Sequence, residues 1–165
     1  MSPVNQPNEL VAGLVSEFAA DPKAAFSTPV AKLLAKLRED NPELSDDEYD
    51  QVREGWFEAI IEEIKARHPN WTLFVCPLAD CPDELYVGRK ASWFEYKTTM
   101  KKSKGEGAAA DADVRANEDI FKHFLVYPRP EHELMNDMDC GKLVTIAGFI
   151  TKGLGFSEVG AVKKV

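Results

Sequence analysis

Three cysteines and three histidines in 165 residues are too few and too scattered for most of the sites those residues build. Cys76, Cys81 and Cys140 form an odd set with no extracellular spacing pattern, so reduced thiols in a cytosolic compartment are expected. A zinc site needs four ligands at compact spacing. The best grouping is Cys76-x4-Cys81 with His68 or Cys140 recruited from elsewhere, and that pair spacing is not a finger knuckle's, so no metal is expected. Neither G-x-S-x-G nor H-E-x-x-H occurs, and His132-Glu133 is the front of a charged turn. His68 stands before a proline at a helix end, where an imidazole meets terminal carbonyls. The glycines at 105, 107, 153 and 155 lack the strand-to-helix context and the following lysine of a phosphate loop. The sequence therefore predicts no enzyme and no cofactor. No apolar run approaches the ~20 residues that cross a bilayer. The first residues, MSPVNQPNEL, have no cationic segment leading into an apolar core, so no signal peptide is predicted.

Positive charge is also scarce, with 20 basic against 28 acidic side chains and a net charge of −8. Residues 1–70 carry 14 acidic and 7 basic side chains, a net of −7, while the rest is almost balanced. Such a chain does not attract phosphate backbones over distance, which argues against nucleic acid as a partner. Six cations within sixteen residues, Arg89, Lys90, Lys97, Lys101, Lys102 and Lys104, are the local exception. They read either as a solvated face or as a patch for an anionic partner.

What is present is an ordinary globular composition, 44% hydrophobic and 29% charged, in a length that suits one domain or one domain plus a helical extension. Leu10, Val11, Leu14, Val15 and Phe18 share one face of a helix over 8–20, which Asp21-Pro22 ends. Thr28-Pro29 opens a second helix that buries Val30, Leu33, Leu34 and Leu37 and closes at Asn41-Pro42. Ser45 and Glu48 form a capping box for the third helix. Its apolar face runs through Tyr49, Val52, Trp56, Phe57, Ile60, Ile61 and Ile64 to His68-Pro69.

From Trp71 the pattern becomes β-branched and aromatic, and residues 71–76 are predicted to pair with 84–87 through the loop at 77–83. Ser92 and Glu95 then cap an aromatic-rich helix. Residues 101–113, KKSKGEGAAADAD, have the composition of a flexible loop. A helix over 114–127 with Val114, Ile120, Phe121, Phe124 and Leu125 inward is stopped by Pro128 and Pro130, and short helices follow over 131–138 and 142–152. The expected fold is mainly α with a small β-hairpin. A three-helix unit at 1–70 precedes a hairpin-plus-helices domain at 71–155 and a surface tail at 156–165.

The run Glu84-Leu-Tyr-Val-Gly-Arg-Lys-Ala-Ser-Trp-Phe-Glu-Tyr-Lys97 is followed by Phe124-Leu-Val-Tyr-Pro-Arg-Pro130. Strand, arginine-lysine turn, Trp-containing helix, polar linker, a second helix ending in LVYP and a last small helix together resemble the tail assembly chaperones of tailed bacteriophages, over roughly residues 71–155. Such proteins are encoded beside the tape-measure protein and coat it, keeping its long helical segments soluble while tube subunits polymerise around it. The resemblance implies a non-enzymatic protein of the host cytoplasm. Its partners would be the tape-measure and tail tube proteins, with a homo-oligomer also open to it and no membrane involved. It implies structural roles for Tyr86, Arg89, Trp93 and Tyr96 at the strand-to-helix junction and for Leu125, Val126, Tyr127 and Pro128 at the second helix end. The extension 1–70 and the 76–83 loop depart from the pattern.

Trp56, Trp71, Trp93, Phe94, Tyr96, Phe121, Phe124 and Tyr127 read first as core and second as an interface, since aromatics supply large contact area. The predicted partner-binding set is Arg89, Trp93, Phe94, Tyr96, Lys97, Lys101 and Lys102, with the aromatics anchoring the core beside a groove and the lysines on its rim. Two other classes fit the same sequence: a structural component of the virion, and a small acidic inhibitor of a host protein.

Overall fold

The computed structural model describes residues 6–103, 109–154 and 163–165. The fold is mainly helical with a small antiparallel sheet, and the chain divides into two compact units. One comprises residues 1–70 with 78–85, the other residues 71–77 with 86–165.

Among the described residues the first unit has four helices, α1 (Pro7–Ala20), α2 (Pro22–Ser27), α3 (Val30–Asp40) and α4 (Asp46–Arg67), where the sequence suggested three. The extra one is α2, because Asp21-Pro22 is a start as well as a stop. The Asp21 N–H donates to the Glu17 carbonyl at 3.0 Å and closes α1. Its carboxylate then accepts the Ala24 N–H at 3.2 Å, with Pro22 preset at the first helical position. The capping box of α4 is complete: Ser45 Oγ accepts from the Glu48 N–H at 3.3 Å, and Glu48 Oε2 accepts from the Ser45 N–H at 2.9 Å. The Ser45 amide is also the main reason the Glu48 carboxyl sits below its usual pKa.

Helix α4 is the central element, with Tyr49, Val52, Trp56, Ile60 and Ile64 buried at helical spacing. Helices α1 and α3 both pack on it. At Gly55 a Cβ would meet Val11 Cγ2 at 2.6 Å, so glycine is what allows α1 to lie this close. Trp56 Nε1 donates to the Leu10 carbonyl at 3.1 Å, and the Phe18 and Phe26 rings meet edge-on at 5.0 Å. Val15, expected inward, is exposed; the buried stripe of α1 is narrower, Leu14 and Phe18. Segment 78–85 joins this unit through Asp83, which accepts the Tyr49 hydroxyl at 2.9 Å and faces Arg53 at 3.5 Å.

The second unit is built on a four-stranded sheet of order β3-β2-β1-β4, all pairs antiparallel. Its strands are β1 (Leu73–Val75), β2 (Val87–Arg89), β3 (Leu125–Tyr127) and β4 (Lys163–Lys164). The hairpin is present but shifted, with Leu73 opposite Arg89 and Val75 opposite Val87. The ladder starts later than residue 84 because Asp83 is engaged by Tyr49 and Leu85 is buried with that unit, so the first link is the Cys76 N–H to the Tyr86 carbonyl at 2.9 Å.

Two further strands correct the expected hairpin. Residues 125–127 do not continue a helix: α6 (Ala109–Phe124) ends, and Leu-Val-Tyr pairs with β2, Val87 opposite Tyr127. A three-residue apolar run has no period of its own, so the free ladder edge decided its state. Lys163–Lys164, expected to lie in a surface tail, pair with β1. The remainder of the tail, 155–162, lies outside the described residues. The expected loop at 101–113 is shorter than its composition suggested, since α5 (Trp93–Ser103) and α6 take residues from both ends; residues 104–108 lie outside the described set. Val114 is exposed, not inward, while Ile120, Phe121, Phe124 and Leu125 are buried. The helices α7 (His132–Asp137) and α8 (Cys140–Gly153) complete the unit, and α6 packs on both α5 and α8.

Candidate functional site

Helix α5 carries six of the seven predicted partner-binding residues, and Arg89 precedes it in β2. Its start is fixed by a second reciprocal cap: Glu95 Oε2 accepts the Ser92 N–H at 2.9 Å, and the Glu95 N–H donates to Ser92 Oγ at 3.2 Å. Arg89, at the end of β2, donates to Glu95 Oε1 and to the His123 carbonyl, each at 3.4 Å. Its guanidinium lies 5.3 Å from the Trp71 ring centre and 5.4 Å from that of Phe124. Arg89 thus ties the first turn of α5 to the sheet and to the end of α6, and it is a positioning residue more than a contact. The Ser92 amide, followed by the Arg89 charge, holds the Glu95 carboxyl below its usual pKa.

Below that anchor the helix has two faces. Tyr96 and Met100 are half-buried and Thr99 is buried, its hydroxyl donating to the Glu95 carbonyl at 3.0 Å. Phe94, on the opposite face, is 77% exposed, and Trp93, the first residue of the helix, is 62% exposed. This corrects the expectation that both anchor the core; of the three aromatics only Tyr96 turns partly inward, its ring stacked on Trp93 at 5.9 Å. At steps of four the rows run Trp93-Lys97-Lys101 and Phe94-Thr98-Lys102, all exposed. The site is a face with aromatics at its N-terminal end and cations at its C-terminal end, where the helix dipole favours them. Of the wider cation run, Lys90 is exposed and Lys104 lies outside the described residues. Trp71 is 38% exposed, whereas Trp56, Phe121, Phe124 and Tyr127 are core.

The sequence offers these seven residues as an aromatic cluster beside a cationic run, without their directions. The inward set, Tyr96, Thr99 and Met100, has a spacing of three and four that leaves Phe94 on the far side; Trp93, three residues before Tyr96 and seven before Met100, shares their side and is exposed as the first residue of the helix.

Among the described residues no group of three or more His, Cys, Asp or Glu side chains is placed to hold a metal ion. Among the same residues no helix is long and apolar enough to cross a membrane. The cysteines differ sharply: Cys140 is exposed at the start of α8, while Cys76 is buried and its thiol is pushed up to about 12 by burial. With a chromogenic disulfide reagent at neutral pH, Cys140 is expected to react as an open thiol and Cys76 more slowly by a factor on the order of 100 or more, the two converging in denaturant. Equal native rates would place Cys76 at the surface.

No family model matches the chain, and no curated protein or solved structure is significantly similar to it.

Proposed function

We propose that the chain is a non-enzymatic phage tail assembly chaperone of the host cytoplasm, which holds the tape-measure protein and keeps it soluble while the tail tube forms. One observation supports this reading above all: a rigidly capped helix that leaves Trp93 and Phe94 largely in solvent beside Lys97, Lys101 and Lys102. Exposing two large aromatics is unfavourable unless something covers them, and Trp supplies much of the energy at interfaces. An amphipathic helix with acidic flanks suits such a face, with its apolar side on the rings and its carboxylates near the lysines. The resemblance in the order of strand, capped Trp-containing helix, linker and helix points the same way.

Co-expression with the tape-measure chain of the same gene cluster tests the reading. The native protein keeps that chain soluble and co-purifies with it. Trp93→Ala with Phe94→Ala lowers capture by about 30-fold or more, as loss of an anchor worth ~2 kcal/mol requires, with an unchanged circular dichroism spectrum. Reversing Lys97, Lys101 and Lys102 to glutamate weakens capture at low salt and much less at high salt. A protein without affinity for tape-measure segments but present at fixed copy number in mature particles is a structural virion component instead. A tight stoichiometric complex with a host protein makes it an inhibitor.

A further inference from the structure

The first unit contains the complement of the α5 face. A cleft of about 550 Å³ is lined by α1, α3 and Trp56, with Leu10, Leu33 and Leu37 among its apolar walls. Three carboxylates, Glu9, Glu17 and Asp40, line it against one cation, Lys36. A second cavity of about 250 Å³ adjoins it, sharing Leu14, Glu17 and Leu33 and continuing toward Ala24. These volumes lie near the ~300–1,000 Å³ of pockets that bury small ligands, so the cleft has room for one or two large side chains and not for a whole helix.

We propose that this cleft receives Trp93 and Phe94 of a second copy of the chain. The larger cavity suits the indole by size, and the smaller, alanine-lined one suits the phenyl ring. Lys97 and Lys101 follow the aromatics by one and two turns and meet the carboxylates around the cleft, so the signs match. Both surfaces belong to the same sequence, and one is acidic where the other is basic. The contact joins two different surfaces, so it closes as a ring or runs on as a chain of copies. It reaches beyond the proposed chaperone role. Self-contact occupies the same rings that would hold a partner, so capturing a partner competes with self-association.

The test uses the purified full-length chain alone, which separates it from partner capture. Sedimentation equilibrium of the native protein shows mass rising with concentration, and less so in high salt. Two kinds of variant each abolish the rise. Trp93→Ala with Phe94→Ala removes the knob. Gly13→Leu fills the cleft; Gly13 lines it, a Cβ there meets nothing within 4 Å, and leucine favours the helix over glycine. Glu9→Lys with Glu17→Lys repeats the second by charge instead of bulk. Mixing a knob-less variant with a cleft-blocked one restores a single contact, giving a 1:1 dimer that grows no further. A native chain that stays monomeric throughout, an oligomer indifferent to both variants, or variants that fail to pair on mixing each overturn the proposal.

Discussion

Gly88→Val is expected to lower the stability of the second unit by about 3 kcal/mol, the upper end of what overpacking a core costs, and to lower its melting temperature by roughly 12 °C or more. Gly88 lies directly opposite Phe74 in the ladder, and a Cβ there would meet Phe74 Cε2 at 2.5 Å. The ring cannot swing away cheaply. Phe74 is buried, and a Cβ on Gly153 at the end of α8 would meet Phe74 Cε1 and Cζ at 2.7 Å. Two glycines, one on a strand and one on a helix, therefore crowd the same ring and set how closely α8 approaches β2, on which it packs. The ladder against β3 is irregular between Val87 and Gly88, so the backbone is already bent at this point. Gly153→Ala should cost less, because it adds one methyl group where valine adds three carbons, at 2.7 Å instead of 2.5 Å from the ring. Shortening the ring in the double variant Phe74→Leu, Gly88→Val should return part of the loss, a coupling that thermal melts of the four proteins would measure. A Gly88→Val protein that melts as the native one does would show that the ring has somewhere else to go.

Phe74 also illustrates what could be read in advance. Helices α3 and α4 were legible because each carries its own punctuation and a long period: Pro29 at the start of one, the Ser45 and Glu48 box at the start of the other, and stripes ending at Asn41 and His68. The same holds for the cap of α5, whose Ser92 and Glu95 make both expected bonds. The sheet was legible only as a hairpin. Leu125–Tyr127 and Lys163–Lys164 are too short to carry a period, and each becomes a strand because an edge of the hairpin is free to accept it. Likewise Asp21 was read for one role when its backbone and its side chain serve two neighbouring helices. At the candidate site the orientation of the aromatics was not legible, since Trp and Phe beside a capping box fit a core as well as a surface. The packing of Thr99 and Met100 turns Phe94 outward, and Trp93 is exposed because it begins the helix. The cleft between α1 and α3 had no signal in the sequence, because Leu33 and Leu10 look like core and become groove only when the helices that carry them lie apart.

The protein should also lose stability steeply in alkali, through two groups that lie in different units. Tyr49 is buried and its hydroxyl donates to Asp83; burial first, then that bond and the Asp83 charge, push its pKa from 10.0 up to about 12, against the opposing pull of Arg38 and Arg53. Arg38 lies over the ring at 3.9 Å. Cys76 moves from 9.0 to about 12 by burial alone. In both cases the folded state holds its proton more tightly than the unfolded chain does, so the unfolded chain binds fewer protons and stability falls as pH rises. The contribution is complete below the ordinary value and is lost between about 10 and 12 for Tyr49 and between about 9 and 12 for Cys76. Two pKa units correspond to ~2.7 kcal/mol and three to ~4 kcal/mol, each felt in its own unit of the protein. Lysines and other tyrosines titrate in the same range, so the difference between variants carries the test. Tyr49→Phe should cost about 1 kcal/mol at pH 7, the loss of one hydrogen bond, yet narrow the gap to the native protein as the pH approaches 12. Cys76→Ala should behave in the same way from pH 9 upward in the second unit. Denaturant titrations at pH 7, 9 and 11 would show it, and a Tyr49→Phe protein that falls in parallel with the native one over the whole range would mean that the phenol titrates freely in the folded state.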